Sequence, residues 1–181
     1  MEGARFDAKW EDLNDYLFVN DDGVLEKKNE ALKDLTLTKL SVPAKLGGKV
    51  VTAIEDETFC GCSHLTTISI PKTVKSIGKC AFADCVRLNS VKLGKALTAI
   101  GDEAFSYSPI TSIKFPDVLE TIGEYAFKYC KFKELLLPNS VSSIGEEAFY
   151  HTGIERIKLS KISLGEIESL KKISHLAFYN Y

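Results

Sequence analysis

The amino-acid sequence predicts a solenoid of short, parallel β-strands. Three observations carry this. One motif recurs every 22 or 23 residues, a second apolar motif recurs in the same phase, and prolines close several copies of the second. A period of this size is the signature of stacked repeat units.

The first motif is Ile-Gly-x-x-Ala-Phe. It appears as Ile77-Gly78 with Ala81-Phe82, Ile100-Gly101 with Ala104-Phe105, Ile122-Gly123 with Ala126-Phe127, and Ile144-Gly145 with Ala148-Phe149. Degenerate copies flank them, with Ile54 and Phe59 before and Ile173, Ala177 and Phe178 after. The step from Ile144 to Ile173 is 29 residues, an insertion of about seven on the repeat period. The Ile-Gly step reads as a second, shorter extended piece followed by a turn. There glycine supplies a backbone geometry that a Cβ would resist. Phe59, Phe82, Phe105, Phe127, Phe149 and Phe178 are expected to form one aromatic column inside the core.

The second motif runs Leu65-x-x-Ile68-x-Ile70-Pro71, Leu88-x-x-Val91-x-Leu93, Ile110-x-x-Ile113-x-Phe115-Pro116, Phe132-x-x-Leu135-x-Leu137-Pro138 and Ile154-x-x-Ile157-x-Leu159. An early copy is Leu37-x-x-Leu40-x-Val42-Pro43. Apolar residues two apart face one side of a strand. Proline ends the strand because it cannot donate to the next ladder bond. One such unit cannot bury its apolar side, but stacked copies share a continuous core. Parallel neighbours then lie about 4.8 Å apart, and six coils make a rod on the order of 30 Å long.

The unit Ile-Gly-x-x-Ala-Phe-x-x-Cys-x-x-Leu-x-x-Ile-x-Ile-Pro-x-x-Val, nearly complete from Ile77 to Val91, resembles the BspA-type leucine-rich repeat. The resemblance covers about residues 35–181. It implies a right-handed leucine-rich-repeat solenoid of the α/β repeat class, mostly β with short turns and 3-10 segments, and a parallel sheet on the concave face. It also implies a non-catalytic role in binding proteins. Many bacterial members of the family are secreted or surface-attached and engage host or matrix proteins.

Residues 1–34 are expected to cap the array, because a terminal coil needs its open side covered. Phe6, Trp10 and Leu13 fall on one helical face. Asn20-Asp21-Asp22-Gly23 between Tyr16–Val19 and Val24-Leu25 reads as a hairpin. A separate partner-binding helix is the alternative for this segment. No capping element is read after Phe178-Tyr179-Asn180-Tyr181, so the last coil is expected to stand bare, to pair with another copy in self-association, or to continue into further residues.

Composition narrows the function classes. The chain has 181 residues, a net charge of −2 and a pI of about 6.0, which argues against a nucleic-acid partner. Residues 1–34 are acidic and the repeats mildly basic. No apolar run is long enough for a membrane helix. The N-terminus lacks the pattern of a secretory signal. The compartment is left open between the cytoplasm and the secreted or surface location the resemblance implies.

Five cysteines are too few for a disulfide scaffold. Cys62, Cys85, Ser108, Cys130 and Thr152 each stand three residues after an anchor phenylalanine. They read as a column that bonds backbone groups of a neighbouring coil. A Cys62–Cys85 bridge fits on distance but poorly on geometry. A zinc site at Cys60, Cys62, Cys80 and Cys85 does not match the usual ligand spacing. His64, His151 and His175 read as surface turn residues, and the acid pairs Asp102-Glu103 and Glu146-Glu147 as solvated turns. No phosphate loop or nucleophile elbow is present, so neither an enzymatic activity nor a cofactor is expected.

Each strand exposes the residues between its buried ones. One outward column reads Ser41, Ser69, Lys92, Lys114, Leu136 and Lys158; another reads Lys39, Thr67, Ser90, Ser112, Glu134 and Arg156. Edge protection and solubility account for such charges in many sheets. The sharper reading is a partner surface at Lys92, Lys114, Leu136, Arg156 and Lys158, suited to an acidic protein loop or an anionic glycan. Tyr107, Tyr129 and Tyr150 at turns would suit a glycan-binding alternative.

Overall fold

The structure, a computed structural model, describes residues 13–159, 172–173 and 176–179. The chain enters through a hairpin of β1 (Leu17–Val19) and β2 (Val24–Lys27), then a short 3-10 helix, Glu30–Asp34. Strands β3 (Lys39–Ser41), β4 (Lys45–Leu46) and β5 (Lys49–Val50) follow, the last two paired as a second hairpin. From there two short strands alternate in each repeat: β6 (Ala53–Ile54), β7 (Thr67–Ser69), β8 (Ser76–Ile77), β9 (Ser90–Lys92), β10 (Ala99–Ile100) and β11 (Ser112–Ile113). The series continues with β12 (Thr121–Ile122), β13 (Glu134–Leu137), β14 (Ser143–Ile144), β15 (Arg156–Leu159) and β16 (Lys172–Ile173).

The Ile-Gly strands form the longest continuous sheet. Strands β6, β8, β10, β12, β14 and β16 pair in parallel, and β2 joins their N-terminal edge through Leu25 opposite Ile54. The Leu-x-x-Ile-x-Ile strands, expected to make one sheet, divide into β3-β7-β9-β11 and a separate pair, β13-β15. The gap falls where phenylalanine replaces the smaller apolar residues. Phe115 and Phe132 both set their rings edge-on against Phe127 in the core, at 5.7 and 5.6 Å.

The expected aromatic column is present in full. Phe59, Phe82, Phe105, Phe127, Phe149 and Phe178 stack with centroids 5.1 to 5.4 Å apart and planes within 8° of parallel. From Phe59 to Phe149 the rings are almost wholly inaccessible. Leu13, Leu17, Val19, Leu25 and Leu32 of the N-terminal segment join the same core. Phe6 and Trp10, read as partners of Leu13 on one helical face, lie outside the described residues.

The turn around each phenylalanine departs from what its glycine implies. Gly78, Gly101, Gly123 and Gly145 are not left-handed; they are required because backbone passes too close. A Cβ on Gly123 would stand 2.5 Å from the amide nitrogen of Asp102. Glu55 can occupy this register in the first coil because its preceding neighbour is the hairpin strand β2, whose Leu25 carbonyl its amide bonds. The left-handed positions instead lie two residues either side of the phenylalanine, and most carry side chains.

That alternation of left- and right-handed residues turns successive peptides the same way. In the second coil Cys80, Phe82 and Asp84 donate their N–H groups to Asp102, Ala104 and Ser106 of the third. The carbonyls of Lys79, Ala81 and Ala83 accept from Glu57, Phe59 and Gly61 of the first. Buried backbone polar groups need partners, and here the turns supply them as a third ladder beside the two sheets.

Two substitutions test this account. Phe105→Ala should lower stability by roughly 3–5 kcal/mol. Gly123→Ala should cost roughly 1–3 kcal/mol through forced displacement of the preceding turn. Urea denaturation followed by circular dichroism reads both.

Candidate functional site

The period of two that buries Leu135 and Leu137 turns Glu134 and Leu136 outward on β13. On the parallel neighbour β15, Glu134 faces Arg156 and Leu136 faces Lys158. Glu134 gathers both cations: its Oε1 lies 2.5 Å from Lys158 Nζ and its Oε2 lies 3.3 Å from Arg156 Nη2. The Lys158 ammonium, with Arg156 adding to it, holds the Glu134 carboxyl below the usual glutamate value. Leu136 stays 48% exposed beside this cluster.

Lys92 lies on β9 in register with Ser69, and Lys114 follows directly after β11. Both are exposed, and neither has an ion-pair partner among the described residues. The five proposed contact residues therefore fall into two groups. Leu136, Arg156 and Lys158 sit together on the β13-β15 pair, while Lys92 and Lys114 project from the other ladder. Glu134 was visible in the sequence as a column member, but its double pairing needed the register between β13 and β15. Ile157, read as a buried strand position, is 44% exposed on this last described strand of the face, although its register partner Leu135 is buried.

The cysteine column behaves as structural chemistry requires. Cys85 Sγ donates to the Phe59 carbonyl at 3.2 Å, Ser108 Oγ to that of Phe82 at 2.9 Å, and Cys130 Sγ to that of Phe105 at 3.4 Å. Each side chain thus ties its coil to the anchor of the coil before. Thr152 differs and donates to Phe149 of its own turn at 2.8 Å. All five cysteines are free thiols, so no Cys62–Cys85 bridge forms. Burial pushes the Cys62 thiol up to about 12, and raises Cys85 and Cys130 strongly. A thiol held protonated is a poor nucleophile and a poor metal ligand.

His151 stacks on Tyr129 at 5.1 Å, and His175 lies outside the described residues. Among the described residues no group of three His, Cys, Asp or Glu is placed to hold a metal ion. No helix among them is long and apolar enough to cross a membrane.

Stacked coils with two parallel ladders and an internal phenylalanine column define a leucine-rich-repeat solenoid. The chain belongs to the BspA type leucine rich repeat family, whose pattern its residues 52–181 match in six copies. Comparison with curated proteins gives no match. Among solved structures, a leucine-rich repeat protein of T. pallidum is similar over 79% of this chain and 68% of its own, at 26% identity and a TM-score of 0.70. One from Bacteroides ovatus is 32% identical with a TM-score of 0.68, and one from Eubacterium ventriosum is 25% identical with 0.66. The matches to these two cover 80% and 82% of this chain but only 40% and 43% of theirs.

The local chemistry has two checkable outcomes. In an NMR titration Glu134 should protonate below an ordinary glutamate, because its pairing persists until pH falls through the lowered value. Lys158→Ala or added salt should move that midpoint back up. At pH 8, Cys62, Cys85 and Cys130 should resist alkylation in the folded protein and react at once in urea, as read by mass spectrometry.

Proposed function

We propose that the chain is a non-catalytic protein-interaction module whose partner docks on the outward face of the Leu-x-x-Ile-x-Ile strands. The observation that carries this is an exposed Leu136 set among cations on strands held rigid by the core. An apolar contact rimmed by charge is the usual anatomy of a protein interface. Lys92 and Lys114 supply positive charge with no partner of their own among the described residues, while Glu134 orders Arg156 and Lys158 around the leucine. An acidic protein loop with one apolar side chain fits this arrangement.

Family membership supports protein binding in general, and adhesion to host or matrix proteins is the finer form of the same reading. In it, residues 1–34 serve as the cap of the array. Leu17, Val19 and Leu25 bury their side chains in the common core, and β2 occupies the sheet edge that a preceding coil would otherwise fill.

Affinity capture from cell lysate and from host extracellular matrix tests the site, with wild type compared against a Lys92/Lys114/Lys158→Glu variant and against Leu136→Asp. A partner retained by wild type and lost by both variants is the expected outcome. A partner held equally by all three would move the site off this face. No partner, together with a sedimentation mass that rises with concentration, would support self-assembly instead.

A further inference from the structure

Two residues past each of the anchors Phe59, Phe82, Phe105, Phe127 and Phe149 the backbone is left-handed. Gly61 fills this position in the first coil and Asp84 in the second; Tyr107, Tyr129 and His151 follow in the next three. A bulky ring at φ near +60° carries a backbone cost that glycine avoids. Three consecutive coils place a ring at this position, and the rings form an aromatic ladder on the turn edge. Tyr107 and Tyr129 stack at 4.8 Å, and Tyr129 and His151 at 5.1 Å with planes 3° apart. Tyr150 stands at 88° to both Tyr129 and His151.

Among the described residues no ring precedes Tyr107 at the N-terminal end of the ladder. Tyr129 is covered by a ring on either side, but Tyr107 is the first ring of the column and is 47% exposed. On its free side the column holds Asp84, whose amide bonds the Ser106 carbonyl in the coil of Tyr107. The Asp84 side chain is exposed and has no ion-pair partner among the described residues. In the coil of Tyr129, Lys128 Nζ lies 4.5, 5.3 and 5.8 Å from the ring centres of Tyr125, Tyr150 and Tyr129. No carboxylate pairs with this ammonium among the described residues.

We propose that this edge is a binding site for an oligosaccharide that carries a carboxylate sugar. A sugar ring has one apolar C–H face and a rim of hydroxyls. The electron-rich face of Tyr107 suits the C–H face, and the acceptor-only carboxylate of Asp84 suits the hydroxyls. One coil along, Lys128 is a fixed cation for the carboxylate of the neighbouring sugar. A broad protein surface fits less well, because the inner rings of the ladder present only their edges. The site is separate from the strand face, and neither proposal rests on the other.

Calorimetric titration of the full chain tests it, using a glucuronate-containing tetrasaccharide and its carboxyl-reduced, neutral counterpart. Wild type should bind both, the acidic one about tenfold more tightly. Tyr107→Asn should lose both by about tenfold or more, with folding retained because asparagine tolerates the left-handed backbone. Thermal melting confirms that the variant is folded. Tyr107→Phe should keep binding, and Lys128→Gln should bring the acidic ligand down to the neutral one. Absence of binding by wild type would overturn the proposal. So would a folded Tyr107→Asn that binds as wild type does, or loss of binding in Lys92→Glu, which would place the sugar on the strand face. A glutamate-rich peptide that bound with the same sensitivity to Tyr107 and Lys128 would overturn the glycan assignment.

Discussion

One distance governs this molecule: the separation of neighbouring coils. Three backbone ladders and a column of phenylalanine rings must all repeat at it. Hydrogen-bonded strands set a spacing near 4.8 Å, and the rings sit slightly further apart, offset along the column. Glycine in the Ile-Gly turns lets backbone meet backbone at that separation, and the Cys/Ser column adds a side-chain bond across it. A change in any column is felt by the others, because all of them share the same pair of neighbouring coils. Between β11 and β13 the strand ladder is interrupted, while the ring column and the turn ladder run through unbroken.

Much of this was legible in the sequence, since each column is a residue type recurring in phase. The phenylalanine stack and the cysteine column are both periodic in the chain, and both appear where the period puts them. The division of labour between the two strands was not legible. Two-residue strands such as Ser76–Ile77 carry almost no periodicity of their own, yet they build the longest sheet. The glycine was legible as a constraint, but its cause was not. Only the stacked backbone shows that close approach matters and that left-handed geometry falls on Glu103, Tyr107 and their counterparts.

The surface was read least completely. Outward columns follow from strand alternation, so Lys92, Leu136 and Lys158 could be placed on one face. The pairing of Glu134 with two cations depended on which strands lie in register, and the break between β11 and β13 interrupts a motif that recurs without interruption in the sequence. Tyrosines 107 and 129 were visible as turn residues, but their stacking reflects a backbone conformation that side-chain identity does not announce.

The unidirectional turn ladder gives the array a polarity that ordinary β-sheets lack, since strand dipoles largely cancel. In each of the first four coils three peptide dipoles point along the stack in the same sense. Carbonyl oxygens look toward the N-terminal end and amide hydrogens toward the C-terminal end. Along this edge the solenoid therefore behaves electrically like a helix laid out in steps, with partial negative charge at its start and partial positive charge at its finish. Whatever abuts the first turn must bring donors, and whatever extends the last must bring acceptors. A further coil of the same kind satisfies the second condition by construction, so the stack can lengthen without altering the coils already formed.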